Sequence, residues 1–360
     1  MSRLVLIDGN AILHRAFHAL PAMTNSKGQE INAVYGFVSM VFNVIKELKP
    51  THLAITFDRP KPTFRKELFT AYQAQRPKMD DSLVDQASLV HKVVAAMEVP
   101  IYEKDGFEAD DVIGSLARQA TETLNNGSRH AELVQREARS RSAMVSTSTN
   151  SQTSTQNPKG IPSGQVRDDK GIIKEVIVVT GDRDLLQLVN THVKLFMPVK
   201  GLSEAKLFGE QEAEERMGVP PAQIADLKGL MGDPSDNYPG VAGIGPKTAI
   251  TLLKQFGSVE NIYKNLDKIK NQRVVEKLAK DKENALMSHK LATVVTDVPI
   301  EFDHKSAELH DLATRKAVEL FSELEFKTLL KRLLNLHSKQ SEPAKPAQVV
   351  VKKDNQLGLF

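Results

Sequence analysis

The stretch Gly229-Leu-Met-Gly-Asp-Pro-Ser-Asp-Asn-Tyr-Pro-Gly-Val-Ala-Gly-Ile-Gly-Pro-Lys-Thr-Ala249 sets two kinds of chemistry side by side. Asp233 and Asp236 have the spacing of metal ligands held in one turn. Gly240, Gly243 and Gly245 then punctuate a tight hairpin that opens a helix at Pro246. Glycine lets backbone N–H groups come close to a phosphate, and a helix N-terminus adds partial positive charge. Lys247 and Thr248 supply a cation and a hydroxyl in the first helical turn. The stretch reads as a chemical edge fused to a grip on a nucleic-acid backbone. The plainer alternative is a Gly/Pro-rich loop whose carboxylates cap helices.

Working outward, the residues upstream supply a frame for that edge. Residues 4–7, 52–57 and 175–180 are continuous apolar runs, each closed by an acid: Asp8, Asp58 and Asp182. Such runs are the pattern of buried parallel strands. Residues 99–102 and 193–197 predict further strands, and helical periodicity covers 33–48, 82–97 and 110–124. Alternating strands and helices predict an α/β fold with a mostly parallel sheet flanked by helices. Sites in such sheets gather at the carboxyl ends of the strands. Downstream, helices are expected over 220–231 and 246–256 around the hairpin, then over 274–279, 282–292 and 312–336.

The acids continue beyond the strand ends. Glu108-Ala-Asp110-Asp111 opens a helix, and Gly181-Asp182-Arg-Asp184 follows a strand. Together Asp8, Asp58, Glu108, Asp110, Asp111, Asp182, Asp184, Asp233 and Asp236 make nine carboxylates. Neighbouring like charges resist ionising together. Divalent cations, Mg²⁺ or Mn²⁺, relieve that repulsion, and Mg²⁺ itself needs only one or two direct protein carboxylates. Nine acids therefore suggest at least two ions, which about 4 Å apart can activate water and neutralise charge in phosphodiester hydrolysis. Taken singly, each acid is explained as well by a turn or a helix cap. The chain has no cysteine, which removes disulfides and thiolate-bound zinc and leaves oxygen ligands.

Composition sets wider bounds. With 360 residues, 41% hydrophobic and 26% charged, the chain can bury a sizeable core. A net charge of +3 is too small to mark a polyanion partner, so any basic patch is local. No apolar run approaches the roughly 20 residues of a membrane helix, and the first residues are no signal peptide. A cytoplasmic, nucleoid-associated monomer without a membrane partner is the expectation. Arg65, Lys66, Arg76 and Lys78 flank Phe64, Phe69 and Tyr72, a pattern that suits a single-strand passage or a solvated face.

On these residues the chain resembles the 5′-nuclease family: the N-terminal 5′→3′ exonuclease of bacterial DNA polymerase I, phage 5′ nucleases and flap endonucleases. The resemblance rests on Leu6-Ile-Asp8-Gly, Phe57-Asp58, Thr63-Phe-Arg65, Glu108-Ala-Asp-Asp111, Thr180-Gly-Asp182-Arg-Asp184 and the block 232–247. It implies a PIN/resolvase-like α/β fold with a C-terminal helix–three-turn–helix subdomain that holds duplex DNA. It also implies divalent-metal hydrolysis of DNA, or of RNA primers, at 5′ ends and flaps. Residue by residue, it makes the nine acids the metal set and places Arg15 and Arg76 at phosphates near the scissile bond. Tyr35 would stack on a terminal base. Arg65, Gly240, Gly243, Gly245, Lys247 and Thr248 would meet DNA, with K⁺ a further ligand of the hairpin. Gln73 stands where the family usually has lysine, and Lys66 is the candidate to replace that catalytic cation. His14, His18 and His289 read as structural or surface groups. A non-catalytic junction binder and a PIN-like ribonuclease are the competing readings.

The expected organisation is a catalytic domain over 1–210, a helical DNA-binding subdomain over 211–337 and a tail over 338–360. Within the first lies an insertion over 125–172, whose residues 146–157 are all uncharged and are expected to stay disordered. Gln356-Leu357-Gly358-Leu359-Phe360 resembles the peptide by which bacterial enzymes dock on the sliding clamp, with Gln356, Leu357, Leu359 and Phe360 as its anchors. That ending favours a stand-alone nuclease over a fragment.

Overall fold

The computed structural model describes residues 2–122, 173–200 and 204–340. The expected insertion and the terminal peptide lie outside the described residues. The apolar runs form β1 (Arg3–Asp8), β2 (His52–Thr56), β3 (Ile101–Tyr102) and β4 (Glu175–Val179). β5 (Val193–Lys200) and β6 (Glu204–Phe208) complete a six-stranded sheet of order β3-β2-β1-β4-β5-β6. Only the β5–β6 pair is antiparallel, and the sequence reading had no strand at β6.

Strand residues alternate between two cores. Val5, Ile7, Leu53, Ile55, Ile177 and Val179 serve one face, and Leu4, Leu6, Ala54, Val176 and Val178 serve the other. With helices on both faces no polar alternation is needed, which is why the runs are apolar throughout. Register levels the strand ends: Asp8 pairs with Thr56, and Ile7 with Val179. Asp58 and Asp182 therefore emerge from the same edge as Asp8.

The first core is built by α1 (Gly9–Ala19), α2 (Asn32–Leu48) and, after the short α3 (Phe64–Leu68), α4 (Asp81–Ala96). On the other face lie α5 (109–122), α6 (Glu210–Met217), α7 (Ile224–Met231), α8 (Pro246–Phe256) and α9 (Val259–Lys264). α10 (Gln272–Lys280) and α11 (Lys282–Ala292) close that layer. One continuous core joins these C-terminal helices to the sheet, so the glycine hairpin between α7 and α8 is fixed relative to the strand ends. α12 (Arg315–Glu323) and α13 (Lys327–Gln340) return to pack on α2 and α4.

The single helix expected over 312–336 is thus two. Glu325 adopts φ +61°, and Ser26 donates through both its N–H and its hydroxyl to the Glu325 carboxylate. The turn lets Phe321 and Phe326 both reach full burial, which a straight helix would not allow. Losing a buried ring of this kind costs about 3–5 kcal/mol, more than the strain of one left-handed residue at about 1–2 kcal/mol. Among the described residues no helix is long and apolar enough to cross a membrane.

Candidate active site

Asp8 ends β1 and caps α1 in one stroke. Its Oδ1 accepts the Ala11 N–H at 2.9 Å, and its Oδ2 accepts the Thr180 hydroxyl at 2.7 Å. The same hydroxyl accepts the Asp182 N–H at 2.9 Å, and Asp182 Oδ1 accepts the Asp184 N–H at 2.8 Å. A relay of short polar contacts thus spaces the acids of β1 and β4. On the β2 side, Asp58 accepts the Ala109 N–H at 2.7 Å and the Asn10 side-chain amide. That bond sets Asp58 against the Glu108–Asp110 turn at the start of α5.

These sheet-edge acids crowd one another. Burial pushes Asp8 up to about 6, with the charges of Asp58 and Asp182 adding to it. Burial also lifts Glu108 to about 7. Asp110 is raised well above the ordinary range by burial, then by Asp182, Asp8, Asp58 and Glu108 in that order. The charges of these carboxylates thus act on one another across the sheet edge.

The acids on the hairpin side sit differently. The loop 233–238 is closed by reciprocal backbone bonds between Asp233 and Tyr238 at 3.0 and 3.1 Å. Lys228, only 9% exposed, rises from α7 and places its ammonium between Asp184 and Asp233. Arg76 donates to Asp236 at 2.7 Å, and the Gln73 amide donates to the same oxygen at 3.3 Å. One oxygen each from Asp184, Asp233 and Asp236 lies within 4.8 Å of the others. Burial raises Asp184 to about 6 despite Lys228. For Asp233 burial pushes the same way but loses to Lys228 and Ser235, which hold its carboxyl below the ordinary range. Lys228 was not singled out in the sequence. Its one signal is a lysine amid Ile224, Ala225, Leu227 and Leu230 on a helix whose only other charged residue is Asp226.

Two expected site residues belong elsewhere. Asp111 is fully buried and takes the Arg65 guanidinium in two bonds of 2.6 and 2.8 Å, with the Val295 N–H at 2.8 Å besides. Arg65 is 3% exposed and also donates to the carbonyls of Leu291 and Thr293. Asp111 therefore leaves the metal set, and Arg65 cannot meet DNA. The pair pins α5 to the end of α11, and its rigid planar fork suits that task. Lys66 is exposed, but its ammonium donates to the Tyr72 carbonyl at 2.7 Å. Tyr35 is half-buried, its ring edge-on to Phe326 at 5.5 Å between centroids. Arg15 lines a cleft of about 640 Å³ together with Asp182, Asp184, Lys228 and Asp233. His14 is half-buried on α1, and His289 lies 3.5 Å from Asp226.

At the hairpin, Gly240 has φ +61°, and a Cβ there would lie 2.2 Å from the Gly232 nitrogen. No side chain fits. Gly243 has φ +76°, and its carbonyl accepts Lys277 Nζ at 2.9 Å. Gly245 is in extended backbone as the N-cap of α8, and a Cβ there would meet nothing within 4 Å. The protein's own packing does not demand glycine at that position, and the space beside it is open to a ligand's approach. Lys247 is exposed and Thr248 half-buried in the first turn of α8.

The donor set fits hard divalent cations: carboxylate oxygens from several elements, no sulfur, and a buried Tyr238 hydroxyl without a hydrogen-bond partner beside them. Comparison with known proteins agrees with this geometry. Residues 3–129 match the N-terminal resolvase-like domain of the 5′-3′ exonucleases, and residues 219–315 match their C-terminal SAM fold. The chain is 37% identical over 341 residues to DNA polymerase I of Bacillus caldotenax, which covers 95% of this chain and 33% of that protein. It thus spans about a third of the length of the polymerase relative. It is 32% identical to a 5′-3′ exonuclease of Aquifex aeolicus, over 95% of this chain and 99% of that one. The fold matches a bacteriophage T5 flap endonuclease solved as a pseudo-enzyme–product complex with DNA and metal ions. That match has TM-score 0.57 and 17% identity over 94% of this chain and all of that one. The sequence matches, which span both the sheet and the hairpin helices, place this chain in the 5′-3′ exonuclease family.

Proposed function

We propose that the protein hydrolyses phosphodiesters at 5′ ends and 5′ flaps of DNA, including RNA-primed strands, with divalent cations bound in the acidic cleft. One observation carries the reading. Acids from the ends of β1, β2 and β4, from the start of α5 and from the loop 233–238 converge beside the glycine hairpin. Asp8, Asp58, Glu108, Asp110 and Asp182 would hold one ion, and Asp184, Asp233 and Asp236 a second. When bound, such ions lower the pKa of attacking water and neutralise charge on the phosphate. The chain's own groups do the rest. Arg15 and Arg76 orient the phosphate by charge, and Gly243, Gly245, Lys247 and Thr248 hold the duplex by its backbone. K⁺ is the proposed further ion at the hairpin. Mg²⁺ and Mn²⁺ are the proposed cleft ions.

The division into a catalytic part over 1–210 and a helical DNA-binding part over 211–337 belongs to the same proposal. So do docking on the sliding clamp through Gln356, Leu357, Leu359 and Phe360, a monomeric state and a cytoplasmic, nucleoid-associated location. The test is cleavage of a 5′-flap DNA and its RNA counterpart, with and without Mg²⁺. Mg²⁺-dependent release of the flap supports the reading. Binding of the junction without cleavage under any divalent ion would reject it in favour of a non-catalytic junction binder.

A further inference from the structure

Among the described residues, Tyr238 holds the one buried side-chain polar atom at this site without a hydrogen-bond partner. The residue is 3% exposed, and its hydroxyl has no hydrogen-bond partner. Its ring packs with Tyr72, Leu291 and Ala292, contacts that a phenylalanine would make equally well. Leaving a hydroxyl unsatisfied in such a place costs about 1–3 kcal/mol, so the oxygen is an expense unless something binds it. Its backbone is not free to drift, because the paired bonds to Asp233 fix Tyr238 to the loop that carries Asp233 and Asp236. The charges that act most on the hydroxyl after burial are Asp184, Asp233 and Asp236, in that order. These are the three carboxylates whose oxygens lie within 4.8 Å of one another.

We propose that Tyr238 is a positioning residue for a hydrated divalent cation at Asp184, Asp233 and Asp236, its hydroxyl hydrogen-bonding to an oxygen of the ion's water shell. This rests on the cation reading given above. Mg²⁺ keeps several waters when protein-bound, and each must find partners in a buried setting. Outer contacts of this kind set the orientation of the inner shell, and losing one costs typically 10–100-fold in metal affinity. Lys228 and Arg76 already engage the carboxylates themselves, which leaves the waters as the hydroxyl's target.

The full chain allows a direct measurement, because it has five tyrosines and no tryptophan. Binding of Mn²⁺ is followed by the electron-paramagnetic signal of the free ion for the wild type, Tyr238→Phe and Asp236→Asn. In parallel, the tyrosine absorption difference spectrum is recorded on adding Mg²⁺. The expected result is a roughly 10-fold weaker site in Tyr238→Phe, a higher Tm without cations because the unpaired hydroxyl is gone, and loss of a red-shifted tyrosine band that the wild type shows. Equal Mn²⁺ affinity in wild type and Tyr238→Phe, with Asp236→Asn weakened, would overturn the role of Tyr238 alone. Wild-type binding that is insensitive to Asp236→Asn would overturn the cation site itself.

Discussion

The two sides of the acidic cleft solve the same electrostatic problem in opposite ways. On the hairpin side, Lys228 bridges Asp184 and Asp233 and Arg76 meets Asp236, so the chain supplies its own counter-charge. At the sheet edge, burial and then other carboxylates raise Asp110, burial lifts Asp8 to about 6, and burial lifts Glu108 to about 7 even with Arg65 3.4 Å away. A built-in ammonium holds geometry but occupies carboxylate oxygens. Crowded acids without one keep their oxygens for an incoming ion, at the cost of mutual repulsion. The difference teaches that a cluster's demand for cations depends on where the fixed positive charges fall, not on the number of acids.

The sharpest break of this contrast is Asp110→Asn. Losing a group that helps stabilise charge in the transition state should lower kcat on a 5′-flap DNA by roughly 10²–10³. The same change removes a repelled buried charge, so the cation-free protein at pH 8 should melt higher than the wild type. A lower Tm would show that Asp110 is held by a favourable partner and would erase the contrast. Lys228→Met tests the other side. Removing one member of a buried ionic group strands the rest and costs about 3–5 kcal/mol, read as a fall in Tm at neutral pH that Mg²⁺ partly reverses. A Tm equal to wild type would make Lys228 dispensable to the pairing described here.

The smallest effect is on pH. Asp8 and Glu108 move from ordinary values of 3.8 and 4.5 to about 6 and 7 in the fold. Between these limits the folded chain holds more protons than the unfolded one. Their stabilising contribution is therefore complete below about pH 4 and is lost as pH rises through 6 and 7. Cation-free protein should lose a few degrees of Tm between pH 5.5 and 8 from this source, and saturating Mg²⁺ should flatten the slope. A cation-free Tm that rises over that interval would contradict the crowded edge.

Much of this was legible in the sequence, for a local reason. An apolar run closed by an acid states both a buried strand and the position of its end, so Asp8, Asp58 and Asp182 could be placed on one edge before any coordinates. The glycines of the hairpin were equally plain, since φ +61° at Gly240 and +76° at Gly243 leave few alternatives. What stayed hidden depends on distant pairing. Arg65 and Asp111 are separated by 46 positions, and nothing local tells a basic residue beside aromatics that it will be buried against an acid. The corner at Glu325 carries neither glycine nor proline, because burial of two phenylalanines, not backbone preference, makes the turn.

The return of the last helices onto α2 has a practical bearing on how the protein can be trimmed. The match to the C-terminal SAM fold ends at residue 315, yet Phe321, Phe326, Leu329 and Leu333 complete the core around α2, and Arg332 fastens to Ser39 and Asn43. A version cut where that domain match ends would strip one wall from the sheet's first layer. It would be expected to clump in solution although every acid of the cleft remained in its sequence.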